Sequence, residues 1–189
     1  MANKNLDGVR VAILATNGYE EPELLKPKAA LEEAGAKVTV IAPEAGEIYG
    51  MKHHDKAGTT KVDMALKVAK AADFDGVLLP GGAANADALR VFKEAQAFVR
   101  KIDEAGKPIA VICHGPWLLV SAGLMKGRKI TSWPTVRDDI QNAGGSWEDR
   151  EVLRDNNWIS SRKPDDIPAF NREMIKAFSE KAGTKQKVA

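Results

Sequence analysis

Pro108-Ile109-Ala110-Val111-Ile112-Cys113-His114-Gly115-Pro116-Trp117-Leu118-Leu119-Val120-Ser121-Ala122-Gly123 contains the change of pattern on which the fold turns. Residues 108–113 are a short run with both faces apolar. That is the pattern of a strand in a parallel sheet covered by helices on each side. His114-Gly115 turns the chain, and Pro116 suits a first helical turn. The run 118–122 then reads as a helix ended by Gly123.

Outward from this stretch the same alternation recurs. Residues 9–15, 37–42 and 76–80 read as further buried strands. Leu24, Leu31 and Ala34 mark a helix ended by Gly35, with a kink predicted at Pro27. Phe92, Ala95, Val99 and Ile102 repeat at helical spacing before Gly106. Ile167, Phe170, Met174 and Phe178 form one stripe, with a stop predicted at Gly183. Residues 46–62 suggest a small β excursion, and 147–160 short strands around the turn Asp155-Asn156-Asn157. With no repeat or linker, the pattern predicts one doubly wound α/β domain over 1–183 and a frayed tail over 184–189. Chemistry in such sheets sits at the carboxyl ends of strands near a topological switch point. The loops after Ala15, Leu79 and Ile112 are therefore the candidates.

Composition agrees and excludes other classes. The chain has 189 residues, 44% of them apolar, enough for a full core without staples. Lys and Arg number 28 against 26 Asp and Glu, a net charge of +2. That is too balanced for a protein whose main task is gripping phosphate backbones. No apolar window reaches the ~18 residues of a membrane span. The start lacks the apolar core of a signal peptide. Cys113, the single cysteine, excludes an internal disulfide, and a cytoplasmic location is the expectation.

Cys113 ends a strand at a sharp strand-to-helix turn, the logic of a nucleophile elbow with sulfur in place of oxygen. The helix N-terminus favours an anion there, which predicts a lowered thiol pKa and an exposed thiolate. The competing reading is an inert core cysteine. His114 is a candidate general base. Adjacent residues on a tight turn usually point apart, so direct contact between its ring and the sulfur is not expected. An orienting acid would be needed, and Asp87 is the candidate. After the first strand come Glu20, Glu21 and Glu23. Glu20 or Glu21 can serve the helix dipole. Glu23 could reach the elbow across adjacent strands, where burial would keep it protonated and donating to sulfur. Pro80-Gly81-Gly82 carries no nucleotide fingerprint. Gly82 and His114 backbone N–H groups could serve as oxyanion donors.

The remaining clusters have plainer readings. His53-His54-Asp55 lacks metal-ligand spacing and reads as a surface loop. Asp138-Asp139 and Asp165-Asp166 read as caps or solvated faces. Trp117, Trp133, Trp147 and Trp158 read as core or interface packing. Ser160-Ser161-Arg162-Lys163 is either a small anion site or a polar strand end.

Together, Ala-Val-Ile-Cys113-His114-Gly115-Pro116, Leu-Leu-Pro80-Gly81-Gly82 and Gly18-Tyr19-Glu20-Glu21-Pro22-Glu23 resemble the ThiJ/PfpI superfamily. Its branch of intracellular proteases and deglycase-like general stress proteins is the most similar, over nearly the whole chain. The resemblance implies a flavodoxin-like, mostly parallel three-layer sandwich of the class I glutamine amidotransferase type. It implies Cys113 as nucleophile, His114 as catalytic histidine, Glu23 as the protonated carboxyl beside sulfur, Glu20 as a helper and Gly82 as an oxyanion donor. The acid that completes the triad comes from a neighbouring subunit in such proteins. Asp87 matches it if one residue is inserted after Pro-Gly-Gly and Asp replaces Glu. Trp117 stands where many members carry Gln. Homodimers or larger homo-oligomers are implied, with no nucleic-acid or membrane partner and no metal or organic cofactor. Three activities follow: a hydrolase acting on reactive carbonyls such as methylglyoxal, glyoxal or their early adducts on protein side chains; a cysteine peptidase; and a redox sensor or holding chaperone working through oxidation of Cys113.

Overall fold

The structure is a computed structural model that describes residues 5–186. In chain order its strands are β1 (Arg10–Leu14), β2 (Tyr19–Glu20), β3 (Lys37–Ala42), β4 (Gly46–Lys52), β5 (Asp55–Val62), β6 (Met64–Ala65), β7 (Gly76–Leu79), β8 (Ile109–Ile112), β9 (Lys129–Ile130), β10 (Ser146–Trp147), β11 (Val152–Asp155) and β12 (Trp158–Ser161). The helices are α1 (Glu21–Glu33), α2 (Ala83–Leu89), α3 (Lys93–Glu104), α4 (Pro116–Ser121), α5 (Arg137–Asn142) and α6 (Ile167–Gln186).

Seven strands form one sheet in the order β11-β12-β8-β7-β1-β3-β6. All neighbours run parallel except β11, which pairs antiparallel with β12 at the edge. Ile13 lies level with Leu78, and Leu78 with Ala110. Successive strand residues alternate between two cores. Val11, Ile13, Leu78, Ala110 and Ile112 pack with Leu24 and Leu31 of α1 and Phe170, Met174 and Phe178 of α6. Ala12, Leu14, Val77, Leu79, Ile109 and Val111 pack with Phe98, Val99 and Ile102 of α3, Leu119 of α4 and Ile140 of α5. That is why these strands are apolar on both faces: each face has its own helix layer.

Local differences from the sequence reading have simple causes. Phe92 stands just before α3 and is 36% exposed; Phe98 takes the buried place on that helix. Gly106 adopts the left-handed conformation (φ +58°) that ends a helix, but Gly183 does not, and α6 runs on to Gln186. A glycine without the left-handed turn only weakens a helix. Of the segment expected to fray, 187–189 lie outside the described residues. α1 continues as one helix through buried Pro27. The excursion at 46–62 is a hairpin, β4 with β5, joined by β2 into a small second sheet.

Candidate active site

β1, β7 and β8 are adjacent at the centre of the sheet, so the loops after their carboxyl ends meet. The chain leaves β1 toward β3 on one side and returns through β7 on the other, which opens a crevice there. Asn85, 1% exposed on α2, ties the loops after β1 and β7 together. It accepts from Thr16 N–H at 2.7 Å and donates to the Pro80 and Gly81 carbonyls at 3.1 and 2.9 Å. Its place three residues beyond Gly82 is visible in the sequence, but its role depends on partners from two separate loops.

Cys113 sits at φ +62°, a left-handed conformation that costs a non-glycine residue about 1–2 kcal/mol. The strain is held by Cys113 N–H donating to Ser161 O at 3.1 Å and Cys113 O accepting from Trp133 N–H at 3.0 Å. Cys113→Gly should therefore be more stable than Cys113→Ala by about 1 kcal/mol, read as a higher urea midpoint, since both lose the buried sulfur and only glycine relieves the strain at positive φ. A midpoint at or below that of Cys113→Ala would show that the turn is unstrained.

His114 corrects the expectation that the two side chains point apart. Its Nδ1 lies 3.2 Å from Cys113 Sγ, because the ring folds back between Trp117 (5.2 Å, edge-on) and Trp133 (6.1 Å, stacked). Nε2 faces Thr135 Oγ1 at 3.4 Å. Burial pushes the imidazole pKa below its ordinary value, so the ring is neutral at pH 7 and can accept a proton. Asp87 is not its orienting acid within this chain. It lies on the exposed side of α2, whose buried residues are Asn85, Ala86 and Leu89.

Glu23 is fully buried on the first turn of α1, and its Oε2 accepts from Gly81 N–H at 3.0 Å. Among the described residues Oε1 has no nitrogen or oxygen partner, while the carboxyl also hydrogen-bonds the Cys113 side chain. Burial, and next the charge of Glu20, push its pKa up to about 8, so Glu23 is protonated at neutral pH. Glu20, at the end of β2, accepts from His53 N–H at 3.2–3.3 Å.

The expected low-pKa thiol is corrected. Burial, and next the Glu23 carboxylate, push the Cys113 thiol well above its ordinary value. The N–H groups of Gly82 and His114 do point at the sulfur and pull the other way, without offsetting burial. The sequence showed the donors but not the desolvation. Cys113 is therefore a buried thiol with a neutral imidazole within reach of its proton.

These groups share a cleft of about 430 Å³, walled also by Met51, His53, His54, Ala83, Ala84, Trp133 and Pro164. His53 and His54 are exposed, as expected of a surface loop, yet they form a wall. The β4–β5 hairpin returns along β2, with Glu20 level with Met51, and this carries its tip over the site. No local signal in the sequence marks that return. Among the described residues no group of three or more His, Cys, Asp or Glu is arranged to hold a metal.

The other clusters resolve by contact. Asp166 is neither cap nor solvated: it is 3% exposed and pairs with Arg162 at 2.8 Å. Arg162 also holds Asp149 at 2.7 Å, so Ser160–Lys163 is not an open anion site. Asp139 accepts from Trp117 Nε1–H at 2.9 Å. Trp158 is core, 1% exposed, whereas Trp133 is 37% exposed at the cleft.

A doubly wound α/β sandwich with a strained cysteine elbow, a histidine on the sulfur and a buried protonated carboxyl beside it defines a class of cysteine-nucleophile proteins. The DJ-1/PfpI family model matches residues 9–177, and the chain belongs to that family. It is 45% identical over 168 residues to the deglycase TK1284 of Thermococcus kodakarensis, covering 89% of this chain and 98% of that one. It is 40% identical over 166 residues to YraA of Bacillus subtilis, named as a candidate cysteine protease, covering 88% and 96%. Among solved structures, a two-domain protein of Anabaena variabilis with DJ-1/ThiJ/PfpI-like and ferritin-like domains superposes with a TM-score of 0.84 at 31% identity. The match covers 89% of this chain and 47% of that one, so this chain spans about half its length.

Proposed function

We propose that the protein is a cysteine-dependent hydrolase of reactive carbonyls: methylglyoxal, glyoxal or their early adducts on protein side chains. The observation that carries this reading is the 3.2 Å contact between Cys113 Sγ and a neutral His114 at the base of a small cleft. The deglycase name of a 45% identical relative supports the substrate class.

With methylglyoxal, Sγ bonds the aldehyde carbon as His114 Nδ1 takes the thiol proton, and the former carbonyl oxygen gains a proton to give a hemithioacetal. The hydrogen on that carbon leaves as a proton, and a proton is delivered to the neighbouring carbon. Glu23 and His114 are the groups placed to carry it. The aldehyde carbon is thereby oxidised to a thioester as the ketone carbon is reduced to an alcohol. Water adds to the thioester, the C–S bond breaks, Cys113 recovers its proton and lactate leaves; glyoxal gives glycolate. From an amine adduct the first step also breaks the C–N bond, and the amine departs with a proton. The scheme draws on no metal or organic cofactor.

The test is lactate release from methylglyoxal-treated N-acetylated amino acids, with free methylglyoxal as a separate arm. Cys113→Ala should slow release at least about a thousand-fold. Equal rates in both proteins would overturn the reading.

A second reading, redox sensing, is favoured by the buried Glu23 carboxyl, which stays protonated at neutral pH and hydrogen-bonds the Cys113 side chain. Oxidation of Cys113 by two equivalents of peroxide, each reduced to water, would leave a sulfinate that accepts a hydrogen bond from the Glu23 carboxyl. A mass gain of two oxygens at low peroxide, without turnover of any carbonyl, would establish it over the first. We assign Asp87 a role only across a homodimer contact, where α2 of one copy meets His114 of another. Sedimentation together with Asp87→Ala kinetics tests that assignment. A cytoplasmic location accords with an unpaired cysteine, and no described helix is long and apolar enough to cross a membrane.

A further inference from the structure

Among the described residues, no lysine or arginine lines the cleft. The basic side chains flanking its walls are engaged elsewhere: Lys52 with Glu21 at 3.1 Å, Lys163 with Asp165 at 3.1 Å, and Arg162 with Asp149 and Asp166. Glu20 does line it. It is only 9% exposed, and its carboxylate has no ion-pair partner among the described residues. Among the described residues its side-chain oxygens accept only from His53 N–H, shared between the two. A carboxylate has about four acceptor sites, so it can also accept from a donor that enters the cleft. Its charge is felt at Glu23, which places it within electrostatic reach of the reacting sulfur. Trp133, 37% exposed, offers indole surface in the same cleft.

A carboxylate without an ion-pair partner, in a cleft without Lys or Arg, repels anions and attracts a cation able to donate hydrogen bonds. A guanidinium fits best, because its planar fork suits a carboxylate and its face suits an indole. Resting on the carbonyl reading above, we propose that Glu20, aided by Trp133, is the specificity-determining residue. It selects carbonyl adducts carried on arginine side chains over those on neutral or anionic carriers.

The experiment separates binding from turnover. Binding of N-acetylarginine amide and of its neutral isostere N-acetylcitrulline amide to the wild type is read by calorimetry. Neither carries an aldehyde, so the thiol does not react. Arginine should bind about tenfold tighter, the size of one charge-assisted hydrogen-bond pair. In Glu20→Gln, which keeps an acceptor for His53 N–H, that preference should vanish while citrulline binding persists, which reports an intact cleft. Lactate release from the N-acetylarginine adduct relative to the N-acetylcysteine adduct should fall by a similar factor. Equal binding of the two amides to wild type, or a preference that survives Glu20→Gln, overturns this inference alone. Failure of the carbonyl reading appears separately, as lactate release equal in wild type and Cys113→Ala, and removes both.

Discussion

Glu23→Gln should make the folded protein more stable at pH 7 by roughly 3 kcal/mol, while costing most of its turnover. Glu23 has an ordinary pKa of 4.5 and one of about 8 when folded. Below the lower value both states hold the proton and nothing is lost. As pH rises from 4.5 to about 8 the unfolded chain releases the proton and the folded one must keep it, so stability falls. Above about 8 both are ionised and the loss stops growing. Gln does not titrate, so the variant should match the wild type near pH 4 and exceed it increasingly toward pH 8. Its carbonyl can still accept from Gly81 N–H. Urea midpoints at pH 5 and 7.5 check this; parallel pH slopes for the two proteins would mean that Glu23 is not the source. Wild-type activity should also fall above about pH 8, where an ionised Glu23 opposes a negative sulfur. Residual activity in Glu23→Gln should lack that fall.

Gly82→Ala is the second large effect, with an expected stability loss of about 3 kcal/mol or more. Gly82 has φ +86°, and a Cβ there would run into the Gly18 carbonyl oxygen and approach Glu20 N to 2.6 Å. Both obstacles are backbone, so no side chain can swing aside. The Gly82 N–H would move off the sulfur, and turnover should drop about a hundred-fold, as when one oxyanion donor is removed. Gly127→Ala is the control: φ is +76°, but nothing lies within 4 Å of the added atom. It should lose only about 1 kcal/mol, with activity kept. Equal losses in the two variants would show that conformational strain, not the close approach, sets the requirement.

Much of the fold was legible because the main sheet's signal is local. Apolar runs such as 11–14 and 109–112 are buried on both faces, and residues such as Ile13 and Leu14, one apart, serve different helix layers. The Cys113 elbow was legible for a related reason: strand, turn and helix start are consecutive in sequence, and His114 and Gly115 stand beside the cysteine. Glu23 could be proposed from its place after β1, and its predicted protonation accords with its burial.

What remained hidden depends on neighbours distant in the chain. The fold of the His114 ring onto sulfur is fixed by Trp133 and Thr135, some 20 residues on. The direction of the thiol shift depends on how completely the sulfur is desolvated, which no spacing reveals. The wall made by His53 and His54, and the exposure of Asp87, follow from where a hairpin and a short helix come to rest. The sequence by itself therefore determined the family, the doubly wound sheet and the place of the cysteine elbow, because each is written in periodicity and in residues a few places apart. Only the tertiary structure decided the charge of the cleft, the base that touches the sulfur and the proton kept on Glu23. Those are set by burial and by distances between separate elements, since electrostatic energy depends on surroundings that close only when the chain has folded.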